Sequence, residues 1–119
     1  MKKGFFKEER KNLTVKGLNW DEETRADYTK QNLDIFHEQK LELKPTDMYI
    51  GQNNNGEKFY QLLDTDSKTY INVPSMDVEF FGTLDDAHIN ELITGKHVVT
   101  AKEHTSKKSG RKYYELIIE

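Results

Sequence analysis

From Leu41 onward, turn-forming clusters cut the chain into apolar stretches too short for anything but strands and one short helix. Leu41-Glu42-Leu43 alternates, breaks at Lys44-Pro45-Thr46-Asp47 and resumes as Met48-Tyr49-Ile50-Gly51. Proline cannot donate to a central ladder, so this predicts one long strand bent by a bulge near Pro45. Asn53-Asn54-Asn55-Gly56 follows as a turn, because Asn and Gly tolerate positive φ. Lys58 to Asp64 reads as a second strand, Thr65-Asp66-Ser67-Lys68 as a turn, and Thr69 to Val73 as a third strand that Pro74 ends. Val78-Glu79-Phe80-Phe81 is a further apolar run, stopped by Gly82. A helix is expected next, with Thr83 as its cap, Asp85 and Asp86 in its first turn, and Ile89, Leu92 and Ile93 on one face before Gly95. His97 to His104 and Lys112 to Ile118 form a closing hairpin around Thr105–Arg111.

Three strands, a helix and two strands is the element order of the oligonucleotide-binding (OB) barrel. The predicted fold class is therefore mainly β: a five-stranded OB-fold barrel with one helix between strands three and four, plus an N-terminal extension. Closure would also remove the exposed edges of such apolar strands. The 119 residues are read as one domain, with residues 1–40 as an arm or extension and 41–119 as the nucleic-acid-binding core. Within the arm, Leu13–Leu18 offers a short strand and Asp21-Glu22-Glu23 resembles the first turn of a polar helix. Trp20, the only tryptophan, is assigned to packing. Only 34% of the residues are hydrophobic while 33% are charged, so the core is thin and self-association, as a dimer or higher homo-oligomer, is expected.

The net charge of −3 hides strong segregation. Residues 1–16 carry six Lys/Arg against two Glu, a net of +4, and residues 96–114 carry six against Glu103 alone, a net of +5. Residues 17–95 carry six against sixteen, a net of −10. A polyanion is steered by the local patch and not by the total.

Single-strand binders need cations for phosphates and flat rings on which bases stack. The last hairpin supplies both: Lys102, Lys107, Lys108, Arg111 and Lys112 surround Ser109-Gly110, and Tyr113-Tyr114 follow at once. Neighbouring strand residues point to opposite faces, so one tyrosine is core and the other exposed, and the sequence leaves open which. Strands two and three add Lys58, Phe59, Lys68 and Tyr70. Tyr70 shares a side with Asn72 while Ile71 and Val73 take the other, so the Tyr70 face is expected to be solvated. The opening run Lys2, Lys3, Phe5, Phe6, Lys7, Arg10 and Lys11 is a candidate clamp or subunit contact.

Other chemistry is poorly supplied. No cysteine is present, so disulfides and thiolate metal sites are excluded and a reducing, cytoplasmic setting is expected. His37, His88, His97 and His104 fall on different predicted elements without ligand spacing. Asp47 with Asp66-Ser67-Lys68 loosely matches the carboxylate and lysine set of metal-dependent nucleases, yet it sits in a turn. No phosphate-binding glycine loop, secretion signal or bilayer-length apolar segment is evident. The expected role is therefore binding without catalysis, cofactor or metal. A second reading is a protein–protein adaptor, for example one that inhibits a host protein, working through the acidic middle. RNA is an alternative ligand, because backbone and stacking recognition separates it weakly from DNA.

The stretch from Leu41 to Glu119 resembles OB-fold single-stranded DNA-binding proteins. By its length, its Lys2–Arg10 opening and its Tyr113-Tyr114-Glu115-Leu116-Ile117-Ile118-Glu119 ending, the chain is similar to the small early single-stranded DNA-binding proteins of lactococcal phages. That resemblance implies sequence-tolerant binding of single-stranded DNA in phage replication or recombination, inside the host cytoplasm, alongside recombination or replication proteins. Bacterial housekeeping proteins of this class recruit partners through a Gly/Pro-rich tail with an acidic, apolar tip; residues 112–118 here read as a strand, so recruitment through such a tail is not expected.

Overall fold

The computed structural model describes residues 12–119, and the basic run Lys2 to Lys11 lies outside them. The fold is mainly β, in two sheets. Its element order is α1 (Glu22–Ala26), β1 (Thr29–Lys30), α2 (Leu33–Glu38), β2 (Asp47–Gln52), β3 (Lys58–Asp64), β4 (Thr69–Asn72), α3 (Ser75–Gly82), α4 (Asp86–Leu92), β5 (Val99–Thr105) and β6 (Lys112–Ile118). Strands β2, β3 and β4 form the expected antiparallel meander, and β1 adds to the free edge of β4 in parallel. Strands β5 and β6 form the closing hairpin, paired from Val99–Ile118 to Thr105–Lys112.

The meander is buried on both faces. Met48, Tyr60, Leu62, Ile71 and Val73 face the main core, which α2, α3, α4 and the hairpin complete with Phe36, Phe81, Ile89, Leu92, Ile93, Val99 and Leu116. Tyr49, Leu63 and Tyr70 face the other way and pack against Trp20, with Leu18 and Tyr28 at the margin. The indole is completely buried, edge-on to Tyr28 at 4.8 Å and to Tyr70 at 5.2 Å between ring centroids. Leu18, Trp20 and Tyr28 are thereby packed onto the meander, whereas α2 packs against β5 of the hairpin. Leu13–Leu18 forms a tight loop in place of a strand, closed by Thr14 N–H to the Leu18 carbonyl and a bridge between Leu13 and Asn19.

Closure of a five-stranded barrel is not observed. Among the described residues the backbone link to the hairpin is a single bridge just ahead of β2, Leu43 to Val99, in which each amide donates to the other's carbonyl. On the far side, the edge of β4 is taken by the β1 segment: Thr29 N–H donates to the Lys68 carbonyl at 2.8 Å and Gln31 N–H to the Tyr70 carbonyl at 2.9 Å. The facing edge of β6 gives its Leu116 N–H to the Asp77 carboxylate of α3 at 2.9 Å. Both edges that would have to meet are thus partly satisfied elsewhere, and a seam stays open between them.

Two helices stand where one was expected. Val78–Phe81 belongs to α3, which starts directly after Pro74, a residue whose missing N–H costs nothing at a helix start. Thr83 does not cap the second helix; it ends α3, and its hydroxyl donates to the Phe80 carbonyl at 2.6 Å. Asp85 is the cap of α4, its carboxylate accepting from His88 N–H at 2.8 Å. The predicted bend at Pro45 becomes a full break, so β2 starts at Asp47 and Leu43 pairs separately.

Burial raises the Asp77 carboxyl above its ordinary value and nearby Glu115 adds to this, while the bond from Leu116 N–H acts in the opposite sense. A raised acid stabilises the fold at low pH, and that contribution fades as pH climbs through the folded value. Asp77→Asn keeps an oxygen for Leu116 without the buried charge, so it should be at least as stable as the parent at pH 7. Asp77→Ala, which orphans the amide, should lose about 1–2 kcal/mol in urea unfolding. Equal stability of the two variants at pH 7 would contradict this account.

Candidate nucleic-acid interface

The hairpin owes its form to two alternating strands joined by Ser106-Lys107-Lys108-Ser109-Gly110, where Gly110 takes a φ of 73°. Ser106 N–H donates to the Arg111 carbonyl at 2.8 Å and Gly110 N–H to the Ser106 carbonyl at 2.9 Å, which closes the tip. Alternation then sorts the side chains. Val99, Ala101, Glu103, Tyr114, Leu116 and Ile118 share the inward face, while Lys102, His104, Tyr113 and Glu115 share the outward one.

This settles the tyrosine pair. Tyr113 is 43% exposed, and its ring lies nearly parallel to that of His104, 19° apart in plane with centroids at 5.2 Å. Tyr114 is half-buried, donates its hydroxyl to Glu103 at 3.1 Å and lies near the His37 ring. Burial, and then the bond and charge of Glu103, raise the Tyr114 hydroxyl above its usual value. Burial works against the Glu103 charge, but the bonds from Lys112 and Tyr114, helped by the charges of Lys112 and His37, outweigh it and hold the carboxyl low.

The cations separate into groups. Lys107, Lys108 and Arg111 are exposed at the tip and Lys102 is exposed on the outward face beside Tyr113 and His104. Lys112 bridges to Glu103 at 3.3 Å on the opposite face. His104 is fixed from below by Glu115, whose carboxylate lies 2.9 Å from Nε2.

The meander residues do not gather as one surface. Lys58 and Phe59 stand at the start of β3, whereas Lys68 stands in the β3–β4 turn at the opposite end of that strand. Lys68 adopts a φ of 54° and places its ammonium 5.4 Å from the centre of the Tyr28 ring. Phe59 is partly exposed and seats its ring against Gly51; a Cβ there would come within 2.2 Å of the ring, so no other residue fits that spot without displacing it. Tyr70 departs from the expectation of a solvated face. It is buried, because Trp20 covers the side of β4 that the alternation alone leaves open. Trp20 is the available signal, a large apolar residue outside the predicted strands with no helical stripe of its own.

The nuclease-like trio does line one hollow, with Lys16 and Tyr28. Asp47 is buried there and its oxygens are occupied, accepting from the Thr14 hydroxyl at 2.5 Å and from the N–H groups of Lys16 and Met48. It acts as a clasp for the loop over residues 14–18. Among the described residues no set of three His, Asp or Glu side chains converges on a metal-sized centre.

Comparison with known protein families, with curated proteins and with solved structures gives no match for this chain.

Removal of Tyr113 to alanine should change unfolding free energy by less than about 1 kcal/mol, since the ring is on the surface. Tyr70→Ala should cost about 3 kcal/mol or more, because it empties a packed site beside an indole. Chemical denaturation of the two variants orders them, and the reverse order would refute the assignment of faces.

Proposed function

We propose that this protein binds single-stranded nucleic acid, DNA in the first instance, through the outward face and tip of the β5–β6 hairpin. The observation that carries the reading is the exposed Tyr113 ring, stacked on His104 and set among Lys102, Lys107, Lys108 and Arg111. A base can stack on the free side of that ring, worth roughly 1–3 kcal/mol, while the tip cations take neighbouring phosphates. Because stacking and phosphate contacts ignore base identity, the binding is tolerant of sequence.

The layout supports the same reading. A meander, helices and a hairpin, with Leu43 joined to Val99, follow the order of an OB barrel opened along one seam, and we read the fold as an open member of that class. The resemblance to small phage single-stranded DNA-binding proteins adds replication or recombination as the setting. A second reading, a protein adaptor, draws on Met76 and Phe80, which are 47% and 54% exposed on α3 next to Glu79.

Titration of a labelled oligo-dT by anisotropy at several salt concentrations tests the proposal. Trp20 is buried, so its emission is no direct report of stacking. Tyr113→Ala should weaken binding by about tenfold. Lys107→Ala with Lys108→Ala should flatten the log–log salt slope by about 1.4, at roughly 0.7 per phosphate contact on a single strand. An unaltered slope and affinity would take the hairpin out of the site, and failure of the parent protein to bind oligo-dT would favour the adaptor.

A further inference from the structure

The seam between the sheets is itself a groove of about 490 Å³, lined by Lys30 and Gln31 beside β4, by Asn72 and Pro74 at its end, and by Lys112 and Tyr114 of β6. What it offers a ligand follows from a chain of side-chain hydrogen bonds that begins in the core. An indole N–H can only donate. Trp20 Nε1 donates to Gln61 Oε1 at 2.8 Å, which fixes the orientation of that amide. Gln61 Nε2 must then donate onward, and it does so to Asn72 Oδ1 at 2.8 Å. With its oxygen engaged by Gln61, Asn72 has its NH2 group left to donate, and the residue lines the groove. Among the described residues nothing accepts from that nitrogen.

The relay therefore converts a buried tryptophan into an oriented donor at the mouth of the groove. Lys30 stands exposed on the adjoining β1 segment, and Lys112 faces it from β6. Asp34 sets one carboxylate on the lip, where it accepts from Ile35 N–H at 2.8 Å. Lys112 shares its ammonium with Glu103 at 3.3 Å, so Lys30 is the lining ammonium without an ion pair among the described residues, and with the Asn72 amide donor it suits a ligand that is anionic and rich in acceptors.

We propose that this groove is a phosphodiester subsite, with the Asn72 amide as its fixed donor and Lys30 as its principal cation, Lys112 being shared with Glu103. The proposal rests on the single-strand reading and extends it: the strand crosses the open seam from the hairpin tip toward the Phe59 end of the meander. Such a path uses the lack of closure. Pairing of β4 with β6 would fill the place the backbone of the strand takes.

Asn72→Asp is the informative change, because a carboxylate still accepts from Gln61 while replacing the outward donor with negative charge. With oligo-dT, this variant should bind about tenfold or more weakly, as expected for losing a hydrogen bond to a charged group. Lys30→Ala, an exposed position that does not touch the core, should lower the salt slope by about 0.7. Wild-type affinity and slope in both variants, while the parent binds oligo-dT, would overturn the subsite and leave the hairpin interface standing. Failure of the parent to bind oligo-dT or oligo-rU in dilute buffer would overturn both.

Discussion

The Trp20 indole, laid on the outer face of the meander, is the contact on which the arrangement turns. Three strands with one covered face would leave Tyr49, Leu63 and Tyr70 in water, and the charged, sparsely apolar chain has little else with which to cover them. One large ring from a loop answers that need. It buries Tyr70 by edge-on contact, draws Tyr28 and with it the Thr29–Gln31 segment to the β4 edge, and spends its single N–H on Gln61. Packing, edge pairing and amide orientation are consequences of the same placement. Among the described residues, every buried side-chain polar atom has a partner, as expected where the core is too thin to absorb an unsatisfied group.

Asp47 and Asp77 play a related part on opposite sides of the molecule. Each is a carboxylate that accepts main-chain N–H groups from a distant segment: Lys16 in one case, Leu116 in the other. Neither is held by a cation. Asp47 joins a loop to β2 and Asp77 joins α3 to β6, in each case where no ladder reaches.

Much of this was legible beforehand. The meander, its two turns and the closing hairpin follow from alternation and from Asn, Gly and Ser at the right places, and they stand within a few residues of the expected limits. Val78–Phe81 resisted reading because four bulky residues in a row suit a strand or a buried helix equally; the deciding influence is Pro74, which launches a helix. Thr83 and Asp85 are both good caps, and only the actual start of α4 selects between them. Tyr70 was misplaced since strand periodicity reports which side a residue faces and is silent on what covers that side. The exposure of Tyr113 was undecidable for the same reason until the hairpin's inner face was known. Asn72 and Lys30 carry no local signal at all, because their relation depends on Gln61 and on a two-residue pairing between distant parts of the chain.

The segment along the β4 edge has a last consequence, for colloidal behaviour. A two-residue parallel pairing is the shortest ladder among the described strands, and it covers an edge of a sheet that has apolar clusters on both faces. Its melting would present a bare template to other copies well before the meander itself came apart. Fraying of Thr29–Gln31, a local event, should therefore be one route by which concentrated solutions of the protein clump.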